Sequence, residues 1–154
     1  MLTETIKEEI KAELTHAVTK ESASIGALNI VQRHKGWISD DDLADVANLL
    51  GMTTDELDAV ATFYNYLFRK PVGRHVILVC DSISCFVMGC NPVIDLLKDR
   101  LGINLGETTT DKRFTLLPAA CLGACNRAPV MMVDDDLHGP VAAERIDDIL
   151  EKYQ

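Results

Sequence analysis

His75-Val-Ile-Leu-Val-Cys80 is an unbroken apolar run that ends on a thiol, and Asp81-Ser-Ile-Ser-Cys85 adds a second thiol just beyond it. A short continuous apolar run of this kind reads as a strand buried on both faces. The pattern after it keeps changing. Val93, Leu96, Leu97 and Leu101 share one face of a helix that Gly102 stops. Phe114–Leu117 reads as a second strand and Val130–Val133 as a third, with a turn starting at Asp134–Asp136. Gly139-Pro140 precedes a last short piece, and Glu144–Tyr153 reads as a closing helix. Strand, helix, strand, strand, helix is an α/β layer on a small mixed sheet.

Upstream, Arg69-Lys70-Pro71-Val72-Gly73-Arg74 is a polar, turn-prone joint. Before it the pattern is all-helical. Ile6, Ile10, Leu14 and Val18 recur every four residues, which predicts one apolar helix face. A second helical stretch, Ile25–Val31, ends before Gly36. Ser39 caps a helix through Leu50, with Asp40, Asp41 and Asp42 in its positive first turn and Gly51 closing it. Thr53 and Glu56 form a capping box for a helix from Leu57 to about Leu67. The fold class is therefore α+β or α/β: a small N-terminal helical bundle over residues 1–70, then a mixed-sheet domain over 71–154. Two short helices around a Gly turn can suggest a DNA-reading element, but these carry aspartates where such helices carry arginines.

The 154 residues suffice for one domain or two small ones, and 47% of them are hydrophobic, enough for a core. The formal charge of −9 argues against nucleic acid and anionic lipid as partners. No apolar run reaches the roughly 18 residues of a membrane span. The charged N-terminal MLTETIKEEIKAEL does not read as a signal peptide. A cytosolic setting follows, in which structural disulfides are rare.

Four of the five cysteines form two pairs, Cys80-x4-Cys85 and Cys121-x3-Cys125, each in a loop leaving a strand. Neighbouring strands of one sheet would bring the two loops to one edge. Four thiols are a complete ligand set for a structural zinc or an iron–sulfur cluster. The spacings fit C-x2-C zinc knuckles poorly, yet leave both readings open. A dithiol redox enzyme would want C-x-x-C, which is absent. Ala120, Gly123 and Ala124 would let backbone approach an inorganic sulfide. Cys90 is the spare, read as a small buried hydrophobe or as a replacement ligand.

Lys70-to-Cys85 (KPVGRHVILVCDSISC) and Arg113-to-Gly139 (RFTLLPAACLGACNRAPVMMVDDDLHG) resemble the thioredoxin-like [2Fe-2S] subunit of respiratory complex I (NADH:quinone oxidoreductase). Its mitochondrial counterpart is the smaller flavoprotein subunit. GWIS at 36–39 and ATFYNYLF at 61–68 extend the resemblance to the helical half, so it covers essentially the whole chain. Asp134 or Asp135 stands where members often carry Asn. The resemblance implies a thioredoxin-like C-terminal domain and one [2Fe-2S] cluster held by Cys80, Cys85, Cys121 and Cys125. It implies a one-electron carrier, active only as part of an oxidoreductase, with FMN and NADH on the partner and not on this chain. That partner would be the flavin- and NADH-binding subunit, in a tight heterodimer docked through the helical half. A further iron–sulfur subunit would complete the setting, the peripheral arm on the cytoplasmic side of an inner-membrane complex. The same type of subunit occurs in NAD(P)-linked hydrogenases and formate dehydrogenases. A zinc-stabilised adaptor is the remaining alternative.

No G-x-G-x-x-G and no P-loop occurs, so NADH and flavin would have to be held elsewhere. No Ser sits in a nucleophile elbow. His16 and His34 read as surface residues, and His75 is a poor ligand candidate beside four thiols. Trp37, Phe63, Tyr64, Tyr66 and Phe68 read as core by default, with a partner interface as the other option. Arg127 could stabilise a reduced cluster or simply face solvent. Pro129 precedes a strand as a cis-proline does in thioredoxin-like folds, so a cis Ala128–Pro129 bond is expected.

Overall fold

The structure, a computed structural model, describes residues 1–153. The chain divides into two compact units, one over Met1–Pro71 and one from Val72 onward.

The first unit holds helices α1 (Glu4–His16), α2 (Ser24–Lys35), α3 (Asp40–Leu50) and α4 (Thr54–Phe63). Their boundaries follow local chemistry. The Ser39 side chain accepts from the Asp42 amide, and Thr53 and Glu56 complete a reciprocal capping box. Gly36 and Gly51 end α2 and α3 in the left-handed region that glycine enters at no steric cost. Ile6, Ile10, Leu28, Val31, Ile38, Leu50 and Leu57 are essentially inaccessible and form this unit's core.

Two expectations fail here. Val18 is not on the apolar face of α1: the helix stops at His16, and Val18 is exposed. Helix α4 ends at Phe63, not near Leu67, because Tyr64 takes an extended backbone. Gln32 on α2 captures the chain just beyond, donating to the Tyr66 carbonyl (2.7 Å) and accepting from the Phe68 amide (2.7 Å). That clamp diverts the segment, so Phe63, Tyr64 and Tyr66 are exposed and are not core.

The second unit is a five-stranded sheet with short helices. Its strands are β1 (His75–Cys80), β2 (Glu107–Thr108), β3 (Phe114–Ala119), β4 (Met131–Val133) and β5 (Asp136–His138), in the order β2-β3-β1-β4-β5. Strand β1 is central and buried from Val76 to Cys80, as its apolar run predicts. It pairs in parallel with β3, Cys80 opposite Ala119, while the other pairings are antiparallel. Parallel neighbours need a long crossover. Here α5 (Ile83–Val87) and α6 (Cys90–Leu101) lie in that crossover, with Gly102 ending α6. Val93, Ile94 and Leu97 of α6 join Ile77, Val79, Leu116 and Met131 in the core. Each such side chain contributes about 1.5–3 kcal/mol through burial. The closing helix α7 spans only Ile146–Leu150, after a 3-10 turn at Ala143–Arg145. The mixed sheet and helices give the α+β, thioredoxin-like class.

Asp42 is the helical unit's buried carboxylate, 2% exposed. It accepts from Lys35 Nζ (2.5 Å) and from the Ser39 hydroxyl (2.7 Å). Burial works against its charge, but these partners outweigh it and hold the carboxyl below the usual range. A depressed carboxyl stabilises the fold above its unfolded value of about 3.9, and that stability fades as pH falls through the folded value. Asp42→Asn is expected to cost about 1–3 kcal/mol at pH 7. Chemical denaturation from pH 7 down to pH 3 should find the gap from wild type closing towards the acid end.

Candidate functional site

The β1–β3 register sets the site. The two strands run side by side to Cys80 and Ala119, so the loops that leave them emerge at one edge of the sheet. The Asp81 amide donates across to the Ala119 carbonyl (3.2 Å), and the Cys80 amide donates to the Val130 carbonyl (3.1 Å) on the other side. Cys85 lies within α5, two residues past its start. Cys121 and Cys125 lie in the loop after β3, Cys125 opening a 3-10 turn at Cys125–Arg127.

The two pairs differ in environment. Cys80 and Cys85 are each 1% exposed, whereas Cys121 and Cys125 are exposed. Burial pushes the Cys85 thiol up to about 11, against a Val130 amide that favours the thiolate, and the adjacent Cys80 adds to the rise. A metal bound there has to displace that proton. At the exposed pair, Gly123 takes a positive φ of 73° and turns its amide onto Cys121 Sγ at 3.3 Å. Such N–H groups favour the charged sulfur.

Cys90 is the first residue of α6 and is also 1% exposed, within the core cluster. Its burial fits the reading as a small hydrophobe. Among the described residues, no three Cys, His, Asp or Glu side chains converge as ligands of a single ion. His75 Nδ1 pairs with Asp134 (2.6 Å), and His138 Nε2 meets the Tyr153 hydroxyl (2.8 Å), so both rings have structural partners. His16 and His34 are exposed, as expected, His34 beside Glu9.

Arg127, beside Cys125, is exposed and also has a structural partner. Its guanidinium is exposed but committed to the Gly139 carbonyl (2.8 and 3.1 Å). The Val141 amide reaches the Pro129 carbonyl (2.8 Å), so the 139–141 segment buttresses the second cysteine loop twice. The Ala128–Pro129 bond is cis, as expected, and so is Gly139–Pro140.

One feature escapes sequence reasoning. Ile83, Phe86, Val87 and Met88 around Cys85 are all strongly exposed. The available signal was charge: no charged residue occurs between Asp81 and Asp95.

Comparison with known proteins gives a consistent picture. The family model described as thioredoxin-like [2Fe-2S] ferredoxin matches residues 8–154. A subunit of the NADH-quinone oxidoreductase of Pseudomonas aeruginosa is 45% identical over 153 residues, spanning 99% of this chain and 92% of that protein. Its counterpart in Escherichia coli K12 is 44% identical, spanning 96% of this chain and 89% of the relative. Among solved structures, an NAD+-reducing [NiFe]-hydrogenase in its H2-reduced state superposes with a TM-score of 0.74 at 25% identity. That match covers 86% of this chain but only 22% of the hydrogenase chain.

Gly139 leaves no room for a side chain: a Cβ there would lie 2.5 Å from Val130 Cγ1 and 2.7 Å from the Arg127 carbonyl. Gly139→Ala is expected to cost about 1–3 kcal/mol by overpacking. A thermal melt should register the loss.

Proposed function

The chain belongs to the thioredoxin-like [2Fe-2S] ferredoxin family, and from that premise we propose that it is the one-electron carrier subunit of an NADH-quinone oxidoreductase. Cys80 and Cys85 would hold one iron of the cluster, and Cys121 and Cys125 the other. The observation that carries this reading is the β1–β3 register, which brings both thiol pairs to one sheet edge. The donor set fits: a two-iron centre asks for four thiolates in two pairs. A structural zinc would take the same four thiols; it is the family match that favours the cluster.

When bound, the cluster supplies a one-electron acceptor. The chain's own residues would hold it and shape its surroundings. The buried pair keeps water from one side, and the Gly123 amide lowers the cost of negative charge at Cys121. NADH and FMN would sit on a partner subunit, with a further iron–sulfur subunit beyond. Among the described residues, no helix is long and apolar enough to cross a membrane. The likeness to subunits of the NADH-quinone oxidoreductase supports a place in the peripheral arm, on the cytoplasmic side. The helical unit would serve as a docking domain. The hydrogenase assembly is less favoured, because the oxidoreductase relatives match at higher identity and over nearly their whole length.

Anaerobically purified protein is expected to be red-brown, with about two irons per chain and the EPR signal of a reduced two-iron cluster after dithionite. Cys80→Ala and Cys121→Ala should each abolish the colour and the signal. Full iron content in either variant would sink the ligand assignment, and a colourless wild-type chain carrying one zinc would restore the adaptor.

A further inference from the structure

The two thiol pairs are anchored by unequal means. Cys80 ends the central strand and Cys85 lies inside α5, and both are buried. Cys121 and Cys125 are exposed, on the stretch between Ala119, where β3 ends, and Met131, where β4 begins. The buried side chains nearest Cys125 in the chain are those of Ala124 and Ala128. A methyl group grips weakly, because the gain from burial scales with apolar area. Polar contacts are left to hold this turn, and they converge on Arg127. We propose that Arg127 is the positioning residue for the exposed thiol pair: its guanidinium fixes the turn that carries Cys125, and retention of the bound centre depends on it. The inference rests on the four-thiol reading above and adds which side chain keeps the fourth thiol in place.

Backbone and side chain of Arg127 act on the turn together. Its amide donates to the Ala124 carbonyl (2.9 Å), which wraps the chain around Cys125, and the Ala128 amide donates to the Cys125 carbonyl (3.3 Å). The side chain leaves the turn and reaches Gly139, where Nε (3.1 Å) and Nη2 (2.8 Å) both donate to one carbonyl oxygen. A carbonyl oxygen has two lone pairs, so the acceptor is fully used. The planar fork fixes a direction that the rotatable ammonium of a lysine would not. The backbones approach closely as well: a Cβ on Gly139 would lie 2.7 Å from the Arg127 carbonyl. Gly139 is thus pressed against the residue that grips it, and the Val141 amide bonds to the Pro129 carbonyl (2.8 Å) just beyond. Arg127 is the sole charge between Arg113 and Asp134, so no carboxylate on that stretch competes with the carbonyl for it. Hydrogen bonds from an ionised donor are the strong ones. A ligand turn already held in place gives up less freedom on binding, which favours retention.

The test uses the full-length chain as purified anaerobically. Arg127→Met removes the fork, and Arg127→Lys keeps the charge on a single ammonium. Arg33→Met removes an equal charge from an exposed position on α2 and serves as the control. Two rates are read: deuterium exchange over residues 122–130 against residues 75–80 of β1, and removal of iron by EDTA. Arg127→Met should exchange at least about tenfold faster over 122–130, as expected for the loss of a charge-assisted hydrogen bond, with 75–80 unchanged. Its iron should be removed faster by a similar factor. Arg127→Lys should fall between Arg127→Met and wild type, and Arg33→Met should match wild type in both rates. The proposal is overturned if Arg127→Met keeps either rate at the wild-type value, or if 75–80 accelerates equally, since the residue would then only stabilise the fold. It is overturned too if Arg127→Lys equals wild type, because charge alone would then suffice. Failure of the underlying reading looks different: the wild-type chain itself would hold no two-iron centre, while the exchange rates would still decide whether Arg127 holds the turn.

Discussion

Everything at the cysteine edge depends on one pairing, the parallel ladder between β1 and β3. His75 stands opposite Phe114 and Cys80 opposite Ala119, with no offset along six pairs. The side-chain period along a strand is two, so a one-residue slip would turn each apolar side chain to the other face. It would also pull one thiol loop back from the other. The register is held from both ends. At the start, buried Thr115 accepts from the Gly73 amide (2.6 Å) and meets Thr108 (2.7 Å). At the finish, the Asp81 amide bonds to Ala119. Gly73 has to be glycine for this closeness, because a Cβ would lie 2.9 Å from the Phe114 backbone.

On that frame the two thiol pairs meet opposite solvents. Cys80 and Cys85 lie under the fold, where burial keeps Cys85 protonated until something displaces the proton. Cys121 and Cys125 lie on a loop whose shape comes from Gly123 and from the straps at Gly139 and Val141. A centre bound between them would have one side dry and rigid and one side wet. Potentials of iron–sulfur centres respond to both solvent exposure and N–H donors, so this chain has separate means of setting each.

Much of this was legible in the residues. HVILVC could only be a central strand, since its apolar positions leave no polar face. Ser39, Thr53, Gly51 and Gly102 mark helix ends because each supplies a specific local bond or backbone angle. What was not legible depends on distant partners. Tyr64 and Tyr66 read as core until Gln32, far back along the chain, is seen gripping the backbone beside them. Strand β2 is two residues long and exists through its bonds to β3. Arg127 looked like a free charge because its acceptor, the Gly139 carbonyl, lies in another loop. The two thiol pairs were read from spacing, and their candidacy as cluster ligands from resemblance, while their unequal burial needed the fold.

The β1–β3 ladder also fixes an order of events during synthesis. The ribosome delivers Cys80 and Cys85 well before Phe114, and β1 gains its second neighbour, β4, only at Met131–Val133. Contacts between segments so far apart close late and at an entropic cost that grows with the intervening length. Until they close, the two thiol pairs belong to separate loops of an open chain, and neither local helix formation nor collapse of the N-terminal unit can unite them. A ligand that requires both pairs is held by all four thiols only once the sheet has formed. Completion of a centre held by both pairs would thus be coupled to folding of the second unit, and the nascent chain passes through a stage with thiols made and no edge to gather them.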